Sequence, residues 1–157
     1  MKLKNHNDAP IIIAVNIEKQ QIASTTLEIS KNYRVTFSLP KKYLYEPNAS
    51  LLKSGKFDAI SELFNLDKLH QHSHVYTANE IKDFQGRRFE IMNVIPFQKN
   101  ELKAHIQNQK MNITTRNFPL KVEDLKKKYK ISDGGTRFAF FTTNLKNEKI
   151  VLLCTKI

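Results

Sequence analysis

Three histidines alternate at His70, His72 and His74. On a strand, that period would set three imidazoles on one face, a donor set that zinc or copper accepts. No cysteine or paired acid stands at ligand spacing from them, and neighbouring Asp67 and Glu80 share no register with them. The expectation is therefore no metal, and a polar turn whose histidines bond to backbone. Thr114-Thr115-Arg116-Asn117 ends a predicted strand just before a helix led by Pro119. Strand ends that open helices turn backbone N–H groups toward anions, and threonine hydroxyls with an arginine fork add phosphate contacts. Lys126, Lys127, Lys128 and Lys130 cluster close by in sequence. These eight residues make a candidate phosphate-backbone site. The plainer alternatives are a capped turn with a solvated Arg116, and lysines that complement a helix dipole.

Other constellations carry less. Arg87-Arg88 and Lys41-Lys42 adjoin Phe89, Tyr43 and Tyr45, a mixture that can stack on exposed bases but more often marks core aromatics. Glu46 and Asp58 are the acids of residues 31–60, and neither has a partner placed for acid–base catalysis. Gly134-Gly135 is too short for a phosphate loop and reads as a turn. Cys154, the single cysteine, sits in the apolar run Ile150 to Cys154 and reads as a buried thiol. One cysteine excludes an internal disulfide, and a reducing cytoplasm is the default compartment. No catalytic residue is assigned.

The charge is uneven. The chain has 157 residues and a formal charge of +11, from 26 basic and 15 acidic side chains. Residues 110–157 hold 11 Lys/Arg against 4 Asp/Glu, and residues 31–60 hold 6 against 2, while 1–30 and 61–109 balance. Concentrated positive charge draws a polyanion and speeds encounter with it. A solvated lysine-rich surface is the competing explanation. No apolar run reaches the roughly 20 residues of a membrane helix, and Met1 to Asp8 lacks the apolar core of a signal peptide.

The elements that must position these groups follow from periodicity. Strands are expected at 11–17, 22–29 and 33–39, separated by a polar turn at 18–21. Residues 43–50 read as a turn into a helix at 49–54, with Asn48 as N-cap. Gly55 breaks the helical stretch, which resumes from Phe57 to Leu66. Residues 69–77 read as a loop feeding a short strand, and 83–86 as the turn that best divides the chain. Beyond it come a strand at 88–95, a helix at 99–109, a strand at 111–115, a helix at 121–129, and a hairpin of 137–143 with 149–155. Val122, Leu125 and Tyr129 give the second helix one apolar face. The first strand starts so near residue 1 that the opening reads as an entry point within a longer chain.

Two sets of strings carry a resemblance. One is Tyr43-Leu-Tyr-Glu-Pro-Asn-Ala-Ser-Leu-Leu-Lys-Ser-Gly55 with Leu69-His-Gln-His-Ser-His-Val-Tyr-Thr77 and Phe84-Gln-Gly-Arg-Arg-Phe89. The other is Val94-Ile-Pro-Phe97, Asn112-Ile-Thr-Thr-Arg-Asn-Phe-Pro-Leu120 and Asp133-Gly-Gly135. From about residue 10 to the end, the chain resembles the C-terminal region of a Bacteroidetes-type family of class I S-adenosylmethionine-dependent methyltransferases that carry a THUMP-like domain. The resemblance implies an α+β fold of two small α/β sandwich modules. Residues 1–86 would be a ferredoxin-like, β-rich module, and residues 87–157 a THUMP-like β-α-β-α-β-β module. It also implies a methyltransferase domain upstream of this chain, which would hold the S-adenosylmethionine. Nothing in the chain matches that domain's cofactor loop.

THUMP domains are associated with RNA. The resemblance would thus place a tRNA or rRNA surface at Thr114, Thr115, Arg116, Asn117, Lys126, Lys127, Lys128 and Lys130, where the charge count had pointed independently. The expected role is a non-catalytic, RNA-presenting region that works with a catalytic domain in cis and has no membrane contact. The alternative is a docking or dimerisation module that touches no RNA, its signature an apolar patch around Leu44–Leu52.

Overall fold

The computed structural model describes residues 9–157; the polar opening Met1–Asp8 lies outside them. The chain is a mixed α+β fold. In order, it forms β1 (Ile11–Glu18), β2 (Gln21–Glu28), β3 (Thr36–Phe37), β4 (Tyr43–Pro47), α1 (Ala49–Lys53), α2 (Phe57–Phe64), β5 (Asp67–Lys68), β6 (Tyr76–Ala78), β7 (Gly86–Pro96), α3 (Lys99–His105), β8 (Asn112–Arg116), α4 (Val122–Tyr129), β9 (Arg137–Thr143) and β10 (Lys149–Lys156). β1 and β2 make a separate hairpin. The rest form one eight-stranded sheet in the order β3-β5-β6-β4-β7-β10-β9-β8.

The two expected modules therefore share a sheet. The join is β4 on β7, antiparallel, with Leu44 opposite Phe89 and Glu46 opposite Arg87. The strand β4 corrects the reading of residues 43–50 as a turn. Pro47 and Asn48 do end the strand, and the Asn48 side chain caps α1 through the Leu51 amide at 3.0 Å. All five residues of β4 are buried, between β6 on one side and β7 on the other. A strand buried on both faces has no polar alternation to announce it. The same burial overturns the expected apolar patch around Leu44–Leu52, because Leu44 and Leu51 are core residues. The strand expected at 33–39 shrinks to Thr36–Phe37, since its neighbour on the sheet, β5, offers two residues to pair with. That two-residue β5 was not foreseen.

Helices cover one face. Tyr43 and Tyr45 point to the side that packs Leu51 of α1 and Ile60 of α2. Val151, Leu153, Ala139 and Phe141 point to the side that packs Leu102 of α3 and Leu125 of α4. On the opposite face, Leu44, Phe89, Phe140, Leu152 and Cys154 form a third cluster, closed over by Leu69 and Val75. Burial pushes the Cys154 thiol up to about 12, so it stays protonated in that core.

The sheet curls around this inner cluster. Opposite the Leu153–Cys154 step of β10 the register skips Met92 of β7, and a bulge of this kind bends and twists its strand. The result can be read from Arg116. It ends β8, four strand spacings from β4 in sheet order, or roughly 19 Å if the sheet were flat. Yet its Nη2 donates to Glu46 Oε1 at 2.7 Å, while Arg87 donates to Glu46 Oε2 at 2.5 Å. Glu46 is 4% exposed. A buried carboxylate held by two arginines thus ties β4, β7 and β8 together.

Two substitutions test this closure. A Cβ on Gly86 would stand 2.1 Å from the Glu46 carbonyl oxygen and 2.8 Å from the Phe84 ring. Gly86→Ala should destabilise the chain by about 1–3 kcal/mol in urea unfolding, as overpacking does; an unchanged midpoint would contradict the close approach. Glu46→Ala removes two charged hydrogen bonds at once and should cost about 2 kcal/mol, the partly exposed guanidinium groups being free to hydrate. A loss under about 1 kcal/mol would show that the clamp is dispensable.

Candidate nucleic-acid interface

The structure separates the eight residues of the sequence-derived site. In β8, Thr114 and Arg116 lie opposite Phe140 and Thr142, toward the inner cluster, and Thr115 lies opposite Phe141, toward the helices. Arg116 is bound to Glu46, and its buried Nε has no partner. Asn117 takes a left-handed backbone, with φ of 51°. Its carbonyl accepts from the Thr143 hydroxyl at 2.6 Å, and its amide lies 3.1 Å from His70 Nδ1. These contacts fasten the end of β8 to the 70–74 loop.

The lysines stand elsewhere. The end of α4 adjoins the start of β8, where the Asn108 amide donates to the Tyr129 carbonyl at 2.9 Å. Arg116 lies at the far end of β8, about 13 Å away along the strand. Lys126 is paired with Asp133 at 2.6 Å. Lys127, Lys128 and Lys130 are exposed.

Sequence reasoning missed their neighbours. α3 and α4 frame a cleft of about 420 Å³, floored by Phe97, Leu102 and Tyr129. Lys99 and Lys103 of α3 face Lys128 of α4 across it. The spacing of Lys99 and Lys103, four residues apart on a predicted helix, was the available signal. Lys128 lies over the Tyr129 ring, 5.6 Å from its centroid, and Phe97 packs edge-on to Phe118 at 4.9 Å. The acid on α3, Glu101, is 3.5 Å from His105, its own i+4 neighbour. The cleft thus joins an aromatic floor to a cationic rim, the pairing that bases and phosphates of a single strand require. The basic pairs of the sequence lie apart from it: Arg87 holds Glu46, and Lys41 is bonded to Asp67.

The histidines do not share a face. His70 accepts from the His72 amide at 3.0 Å and lies 2.8 Å from Asn147 Oδ1. His74 stacks on Phe57, with centroids 3.5 Å apart. Among the described residues no group of three or more His, Cys, Asp or Glu is arranged to hold a metal.

Burial, and then the nearby charge of Lys68, hold His74 down to about 4. The unfolded chain takes up that proton near pH 6.5. Stability from the neutral ring is therefore complete above pH 6.5 and is lost as pH falls toward 4. His74→Phe keeps the stack and should flatten the fall in urea midpoint between pH 6.5 and 4.5. Parallel acid limbs in the two proteins would contradict the assignment.

Comparison with known proteins agrees with the architecture. Residues 43–84 match the family described as a ferredoxin-like domain, and residues 86–156 match the family described as THUMP domain-like. No curated protein matches the chain in sequence. Among solved structures, it is similar to one named "putative methyltransferase from Porphyromonas gingivalis W83", with a TM-score of 0.81 and 33% identity. The match covers 93% of this chain and 38% of that one, so the chain spans well under half the length of this neighbour. No helix of the described residues is long and apolar enough to cross a membrane. The chain carries a ferredoxin-like domain followed by a THUMP-like domain, built on one continuous sheet.

Proposed function

We propose that this chain is the RNA-contacting, substrate-presenting part of an S-adenosylmethionine-dependent RNA methyltransferase. Its catalytic domain, and the cofactor that domain binds, would lie outside these 157 residues. The reading takes 1–86 and 87–157 as the two modules, and the cytoplasm as their compartment. One observation carries it: the α3–α4 cleft, where Lys99, Lys103 and Lys128 rim an aromatic floor within the THUMP-like match. Lysine ammonium groups would neutralise backbone phosphates and release counterions, which makes binding steeply salt-dependent. Phe97 and Tyr129 would give splayed bases a surface on which to stack. Arg116 has a different task in this account. It holds the curl of the sheet, and its loss acts on RNA only through the fold.

A second reading is favoured by a separate observation. Ile11, Ile13, Val15 and Ile17 of β1, with Ile22 of β2, are 46–73% exposed on one face of the hairpin. An apolar stripe of this kind marks a docking surface, either for the catalytic domain or for a second copy.

Fluorescence anisotropy of tRNA and rRNA fragments across a salt series separates the two. Lys99→Ala/Lys103→Ala/Lys128→Ala should weaken RNA binding at least tenfold at low salt. It should also lower the salt slope by about 2, at about 0.7 per phosphate contact. Arg116→Ala should instead lower the unfolding midpoint. Unchanged RNA affinity in the triple variant would sink the RNA reading. No RNA binding even at low salt, with self-association abolished by Ile13→Lys, would favour docking.

A further inference from the structure

The α3–α4 cleft holds one group that neither charge nor stacking employs. Gln107, half-buried just past the end of α3, lines it beside Lys99, Lys103 and Lys128. Its backbone is fixed. The Ile106 and Gln107 amides both donate to the Leu102 carbonyl at 2.9 Å. The next residue, Asn108, turns left-handed at φ of 60° and donates to the Tyr129 carbonyl at 2.9 Å. Gln107 is thereby held between the two helices that frame the cleft. Among the described residues its side-chain amide has no hydrogen-bond partner, whereas that of Gln109 accepts from Arg137 at 3.0 Å.

The type of side chain decides what it can meet. A lysine ammonium only donates, which suits phosphate oxygens, all of them acceptors. A planar amide presents a donor and an acceptor side by side, and against a phosphate its oxygen would find no donor. Adenine presents the complementary pair, the N6 amino group beside the N7 acceptor, and glutamine bonds both at once. Guanine offers two acceptors on the same edge, and a pyrimidine offers one polar group there. Apart from the Tyr129 hydroxyl, Gln107 is the one uncharged polar side chain lining the cleft among the described residues.

The floor seats a single base. Phe97 and Tyr129 stand nearly perpendicular, at 84° with centroids 6.5 Å apart, so one ring gives a base its face and the other its edge. Phe97 is held in that attitude by edge contacts with Phe118 and Phe141. Lys128 already lies over Tyr129, which favours Phe97 as the stacking face. The volume of about 420 Å³ falls in the lower part of the small-ligand range, roughly 300–1,000 Å³. We propose that the cleft takes one unpaired adenine of an RNA strand, with Phe97 stacking on the base, Gln107 reading its edge and the lysines holding the flanking phosphates. Sequence is read in RNA on unpaired, splayed bases of this kind. The inference rests on the RNA reading above and adds a base preference to it.

The test is fluorescence anisotropy at fixed salt with short oligouridines whose central base is A, C, G or U. The adenine strand should bind about fivefold tighter than the other three. Gln107→Leu should erase that preference and leave affinity for the all-uridine strand within about twofold. Gln107→Glu, at a half-buried position that faces the cleft, should move the preference to cytosine, whose N4 amino group a carboxylate accepts. It decides the matter if Gln107→Leu does not fold. Equal affinity of the unaltered chain for all four strands overturns the proposal and leaves the RNA reading intact. So does an adenine preference that survives either variant, or a loss in Gln107→Leu shared equally by all four strands. Binding of no strand, even at low salt, overturns the proposal and the RNA reading together.

Discussion

Glu46 is buried at the place where the sheet must close. Its two oxygens divide between Arg87, its cross-strand neighbour, and Arg116, which arrives from the far edge of the sheet. Such a carboxylate is costly to leave alone and well satisfied by two guanidinium forks. The geometry is met by β4 beside β7, β7 bulged at Met92, and β8 brought round to the end of β4. The inner cluster of Leu44, Phe89, Phe140 and Leu152 then closes behind the ion pairs. Arg87 also lies over Phe89 and Phe138, so the polar clamp and the apolar cluster share a side chain.

With the curl fixed, the helices have one face left to occupy. α3 and α4 lie together over β8, β9 and β10, which places the lysines of two sequence-distant segments around one aromatic floor. α1 and α2 lie over the other half, on Tyr43, Tyr45 and Tyr76. The ferredoxin-like and THUMP-like parts are continuous through eight strands, so anything bound by one is held at a fixed orientation to the other. That is the mechanical requirement of a substrate-presenting region.

Much of this was legible in the residues. Strand–helix–strand–helix–strand–strand after Gly86 is the order found, because Val122, Leu125 and Tyr129 keep a helical period and the apolar runs 138–141 and 150–154 flank a polar turn with Asn144 and Asn147. The Asn48 cap and the Gly55 break also stand where their chemistry put them. What escaped was non-local. β4 reads as a turn because Pro47 and Asn48 follow four residues with no polar alternation, and only pairing on both edges makes it a strand. Lys103 and Lys128 are 25 residues apart and become neighbours through packing. Arg116 sits in a phosphate-like context of threonines, and nothing in its surroundings names Glu46, 70 residues earlier, as its partner. Buried ion pairs between distant segments leave no periodic trace.

The central claim is that RNA lies across α3 and α4. Ultraviolet crosslinking of the chain to tRNA or rRNA fragments, with mass-spectrometric mapping of the modified peptides, tests it most directly. The account predicts crosslinks on peptides bearing Phe97 and Tyr129, whose rings floor the basic cleft. Crosslinks confined to the β1–β2 hairpin, or none under conditions where RNA is bound, would contradict it.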